Sequence, residues 1–160
     1  MKIPFSPLWR KIFHPSPLWI GVRIFIGICI LCGIASWLEA PLIIAPLAAS
    51  CGLVFTNPVA QTGSARHVIV GHAIAMIIGL LASYSNLNGI GGIACAGVFT
   101  VLLMEWTHTV HPPACATAVI VVANHAKIGF ALHIMVGAIA LMLTAFLLNK
   151  LPNILLQWKK

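Results

Sequence analysis

The sequence predicts an all-α membrane protein with four transmembrane helices and two short proline-initiated half-helices, built as a duplicated repeat of about 66 residues. Three observations carry that expectation. The chain is 61% hydrophobic and only 7% charged, with a mean hydropathy of +1.05, whereas soluble domains carry about 25% charged residues. Apolar runs recur along the whole chain rather than only at its start, so the first is not merely a cleaved leader. Two of the runs are too short to cross a hydrocarbon core of roughly 30 Å, and both are marked by proline.

Residues 1–17 hold Pro4, Pro7, Pro15 and Pro17 with Trp9, Arg10 and Lys11, which reads as an interfacial arm. The transmembrane domain is expected over residues 18–149, and a basic tail over 150–160. The first span runs from about Leu18 to Leu38, with Arg23 near enough its start to snorkel to headgroups. Leu42–Thr56 follows, roughly 22 Å long as a helix, and its length favours a re-entrant half-helix. Arg66–Ser83 forms the next span, where Gly71, Ala75 and Gly79 make a small-residue seam for close helix approach. A glycine-rich loop through Gly92 leads to a span over about Ile93–His108. The second short run is Ala114–Ala123, and the last span is Phe130–Leu148.

A gapless shift of 66 positions places Glu39 on Glu105, Pro46 on Pro112, His67 on His133, Gly71 on Gly137 and Met76 on Met142. The halves are then about 18–83 and 84–149. If the short helices are re-entrant, each half crosses twice and the repeats are parallel. If they span, each half crosses three times and the repeats are inverted.

The most polar stretch within the apolar region is Glu105–Thr117, containing His108, His111, Pro112, Pro113 and Ala114. Pro112 and Pro113 suit the first positions of a helix, and helix N-termini attract anions. Titratable groups at membrane depth are functional candidates, which singles out Glu105, His108, His111 and His72. Arg66 at a helix start is a further candidate for drawing in an anion. Thr117, Ser50 and Pro46 are placed to line a path between the short helices. Each has a plainer reading as well, since hydroxyls bond back to helix carbonyls and Arg66 can face headgroups.

The formal charge of +7 sits mostly at the chain ends. This places both termini in the cytoplasm for an even number of spans, and a bacterial plasma membrane is the expected location. No basic stripe interleaves with aromatics, so nucleic acid is not an expected partner. The expected partners are the bilayer, a small anion with or without protons, and further copies of the chain. The sequence has no Asp and two Glu, and it carries no nucleotide fingerprint, so it is not read as an enzyme. No cofactor and no metal is expected. Cys29 and Cys32 have CxxC spacing but lie within a span, where they read as packing residues.

His111-Pro112-Pro113-Ala114-Cys115-Ala116-Thr117-Ala118 resembles the defining motif of the HPP family of integral membrane proteins. Pro46–Ser50, Pro58, Ala60-Gln61 and Val68–His72 are similar to its upstream blocks, in order, across roughly residues 20–148. The resemblance implies a four-spanning membrane domain, and plant chloroplast members are linked to nitrite transport. Ala114-Cys115 stand where the family commonly has two glycines, and Thr62-Gly63-Ser64-Ala65 departs from a shorter connection containing proline. The leading expectation is a small inorganic anion transporter or channel, with nitrite the first guess and the anion held near helix N-termini at the repeat interface. The alternatives are transition-metal handling by His67, His72, His108, His111 and Cys115, and a scaffold subunit with no transport.

Overall fold

The computed structural model describes residues 17–57, 60–87 and 89–157, with side chains up to residue 149. Six α-helices occur among them: α1 Pro17–Trp37, α2 Ile44–Thr56, α3 Ala65–Tyr84, α4 Gly89–Trp106, α5 Pro112–Ala123 and α6 Ile128–Gln157. Single 3₁₀ turns at Pro41–Ile43 and Gln61–Gly63 precede α2 and α3. Among the described residues, α1, α3, α4 and the Ile128–Asn149 part of α6 are long and apolar enough to cross a membrane. Most of the expected N-terminal arm lies outside the described residues. The expected basic tail continues α6 as far as Gln157.

Two boundaries differ from expectation. Gly89, Gly91 and Gly92 lie inside α4 rather than in the loop. A Cβ at Gly92 would collide with the Leu87 backbone, so the missing side chain lets α4 start directly beneath the turn. The helix α4 also ends at Trp106, two residues early, because His108 takes a left-handed φ of 51°.

That residue belongs to a recurring device. Glu39, Asn86, His108 and His125 all have positive φ, and each closes a helix in a Schellman motif. The Ala40 N–H donates to Ala35 O, Leu87 N–H to Ala82 O, Thr109 N–H to Met104 O, and Ala126 N–H to Val121 O. A non-glycine residue in this conformation costs roughly 1–2 kcal/mol, which the satisfied carbonyls offset where no water can reach them.

Contacts fix the helix directions. Along α3, Gly71 faces His111 and Ala114 while Gly79 faces Val121, so α3 and α5 run parallel. Gly137 of α6 faces Leu47 and Gly27 of α1 faces Cys51 and Phe55. Arg23 near the start of α1 meets Asn149 near the end of α6, so these two are antiparallel. Gly63, just before α3, sits on Val54 and Asn57 at the end of α2. The six helices therefore alternate in direction. Both short helices run toward the opposite end of the bundle, and at 13 and 12 residues neither is among the helices long enough to cross a membrane.

The core falls into two clusters. One joins α1, α2 and α6 through Leu31, Leu47, Phe55, Ile134 and Leu141. The other joins α3, α4 and α5 through Ala75, Ala96, Met104, Ala118 and Val122. The third helix of each sequence half thus packs with the other half. Long, short, long recurs as an element order, but no single shift aligns it. The left-handed turns at Glu39 and His108 are 69 positions apart, whereas the helix starts at Ala65 and Ile128 are 63 apart.

Candidate functional site

Between the two three-helix units lies a chain of polar side chains. Ser50 comes from α2, His72 from α3, His111 from the N-cap position of α5 and Thr117 from one and a half turns further along it. All four have no exposed surface. Ser50 Oγ is 3.0 Å from Nε2 of His72 and 2.9 Å from Nε2 of His111. His72 Nδ1 is 2.9 Å from Thr117 Oγ1, and Nδ1 of His111 donates to the Thr62 carbonyl at 2.7 Å. Ser50 Oγ is also 2.9 Å from the Pro46 carbonyl. The two imidazoles meet edge to face with centroids 5.2 Å apart.

Local sequence explains why the groups converge. A residue before proline is held out of the helical region, and His111 has φ −133° and ψ 92°. Its ring is therefore aimed sideways from the helix start toward α2. The glycine at 71 lets α5 close on α3, since a Cβ there would lie 2.8 Å from the His111 Cβ. Ala114, in place of a glycine, is fully buried against the same spot. The Cys115 thiol turns away and donates to the Gly97 carbonyl on α4. The atypical loop at Thr62–Ala65 supplies the carbonyl that holds the His111 ring. Each of these groups, left unpaired, would cost about 1–3 kcal/mol.

Of the residues singled out in the sequence, His111, His72, Ser50, Thr117, Pro46 and Ala114 come together. Pro112 and Pro113 form the mount. Glu105, His108 and Arg66 do not join them: all three are exposed. The left-handed turn at His108 faces that ring outward, so it shares no helical face with His111. The α5 N-terminus is also a poorer anion cradle than expected. Pro112 and Pro113 have no N–H, and the Ala114 N–H already donates to His111 O.

The Thr62 carbonyl had no sequence signal, because any residue supplies one. Arg23 is 6% exposed. Its Nη1 donates to Asn149 Oδ1 at 2.9 Å while the guanidinium stacks over Trp19, so it ties α1 to α6 rather than only snorkelling. Among the described residues, no three His, Cys, Asp or Glu side chains group closely enough to hold a metal ion. An open cleft of about 340 Å³ lies elsewhere, lined by Glu39, Pro41, Phe130 and His133 at the bundle end that carries Lys127.

Helices of this length and apolarity, with a buried polar chain at the junction of two units, define an integral membrane protein with a polar centre inside its helix bundle. The HPP transmembrane region matches residues 11–154, and the chain belongs to that family. It is 30% identical over 144 residues to one transmembrane protein of Dictyostelium discoideum, covering 82% of this chain and 50% of the relative. A second transmembrane protein of the same organism is 28% identical over 145 residues, with 82% and 46% covered. The chain thus spans about half the length of the curated relatives it matches. No solved structure matches it.

Proposed function

We propose that this protein transports a small inorganic anion across the membrane, nitrite being the first candidate through the family resemblance. The observation that carries the reading is the buried chain Ser50–His72–His111–Thr117 at the junction of two oppositely directed units. Polar groups at membrane depth are retained where they serve a path or a relay, and sites at the interface of inverted halves suit alternating access. Hydroxyls and ring N–H groups freed when the units part would take over part of the anion's hydration. The duplication of the halves, association into a homo-oligomer and cytoplasmic placement of both termini belong to the same proposal. The cluster of Lys and Arg toward the chain ends supports the last of these.

Uptake into proteoliposomes tests it, comparing nitrite, nitrate, formate and chloride. Saturable uptake of one anion, reduced at least tenfold in His111→Ala with insertion retained, is the expected outcome. Uptake unchanged in that variant removes His111 from the mechanism. Absence of any anion flux from correctly inserted protein would leave the scaffold reading in its place.

A further inference from the structure

We infer that His111 Nε2 is a proton-binding site whose occupancy is read out by the Ser50 hydroxyl, and that the proton loads together with the anion. This rests on the transport reading and specifies its second cargo.

The argument starts from which groups can donate. The Thr62 carbonyl only accepts, so the His111 nitrogen 2.7 Å away, Nδ1, carries a hydrogen. In the neutral ring Nε2 is then an acceptor, and its one polar neighbour, Ser50, donates to it across 2.9 Å. Ser50 has a single hydrogen. Having given it to His111, its oxygen accepts from Nε2–H of His72 at 3.0 Å. His72 Nδ1 is left as an acceptor, filled by the Thr117 hydroxyl at 2.9 Å. The neutral network thus has one consistent direction, with the two rings in opposite tautomers.

One added proton changes it at one place. With Nε2 of His111 protonated, that nitrogen donates to Ser50 Oγ, and the hydroxyl hydrogen turns to the Pro46 carbonyl, already 2.9 Å away. Ser50 then accepts from both rings and donates to the carbonyl. Every donor again has an acceptor, and no covalent bond breaks other than the one that delivered the proton.

On the Thr62 side the network cannot pass the proton onward, because it ends in a carbonyl that has no hydrogen to relay. The proton held at His111 therefore enters and leaves only on the Ser50 side. The groups around it supply no counter-charge. His72 touches the ring from α3, and His67, bonded to Ser64, is the next titratable group on that helix. α2 carries none. Glu105 on α4 is exposed, and His133 on α6 lines the cleft with Glu39. A buried imidazolium without a partner is costly, so an anionic cargo is what neutralises it.

The test is the ring ¹⁵N spectrum of histidine-labelled protein in liposomes, with His72→Gln and His111→Gln used for assignment. Without nitrite near neutral pH, His111 is expected as the Nδ1–H form and His72 as the Nε2–H form. Adding nitrite at mildly acidic pH is expected to raise the doubly protonated fraction of His111 at least threefold, with His72 staying neutral. A resting Nε2–H form of His111, or a protonated fraction that ignores nitrite, overturns the inference. A pH dye inside the vesicles separates the two proposals. Nitrite uptake without proton movement overturns the proton site and leaves transport standing. Nitrite-driven protonation of His111 without uptake supports the proton site and overturns transport.

Discussion

Replacing Gly71 with alanine perturbs the site without touching any of its polar atoms. The new Cβ would lie 2.8 Å from the His111 Cβ, 3.3 Å from Met104 Sδ and 3.5 Å from the Ala114 Cβ. Carbon atoms settle at about 3.5–4.0 Å, so α3 and α5 must part by roughly 0.7–1.2 Å or His111 must tilt. Either movement is comparable to the whole tolerance of the network. The contacts at 2.9 Å from Ser50 to His111 and from His72 to Thr117 would pass beyond hydrogen-bonding range. Overpacking costs about 1–3 kcal/mol and a stranded buried polar group about as much again, for roughly 2–6 kcal/mol in all. The matched control is Gly79→Ala, where a Cβ would meet Val121 at 2.8 Å but no side-chain polar group. Thermal unfolding in detergent should show both variants destabilised. Only Gly71→Ala should also shift the ring ¹⁵N signals of His111 and abolish anion uptake. Wild-type stability and unshifted rings in Gly71→Ala would refute the close-approach argument.

Two further predictions come from placement. Glu105→Gln and Arg66→Gln, both at exposed positions outside the polar chain, should change initial uptake rates less than threefold, as measured in the same vesicles. The alternating helix directions put the turn at Ser85–Leu87 and the turn at Asn124–Lys127 at one end of the bundle. A cysteine placed at Asn86 and an amine label at Lys127 should therefore react from the same side of the membrane. Reaction from opposite sides would restore the re-entrant arrangement.

The division between what the sequence disclosed and what it hid follows from range. Apolar length and proline punctuation are local, so all six helices were legible, to within a few residues except where α6 runs on to Gln157, along with the membrane setting. Gly71 and Gly79 were visible as a seam because spacing along one helix is also local. Helix direction was not legible: a short apolar helix fits a return to the same end as well as a stroke to the other, and only contacts such as Gly79 with Val121 decide. Within the site, His72, His111, Ser50 and Thr117 stood out as polar groups in apolar surroundings. Glu105 and His108 stood out for the same reason but lie at exposed positions outside the polar chain. A left-handed turn at a non-glycine residue has a weak sequence signature, and one such turn at His108 separates the outward pair from the inward ring. The exchange of α3 and α6 between the two units left no local trace at all.

The two prolines at the start of α5 take on a different meaning once His111 is seen beside Ser50. A helix start leaves unpaired N–H groups, which are costly wherever no water can satisfy them. Pro112 and Pro113 remove two of these, and the Ala114 N–H closes on His111 O at 2.9 Å. What remains is a helix end with almost nothing to offer an anion through its backbone, and a histidine held extended by the proline that follows it. The motif works as a rigid mount for an imidazole. Pro112→Ala tests that assignment against an anion cradle, because it restores an N–H while freeing the His111 backbone. A cradle gains a donor, so anion uptake at low concentration should hold or improve. A mount loses its constraint, so the Nδ1–H form of His111 should mix with the other tautomer and uptake should fall several-fold. Improved uptake with an unchanged His111 ring spectrum would return the site to the helix terminus.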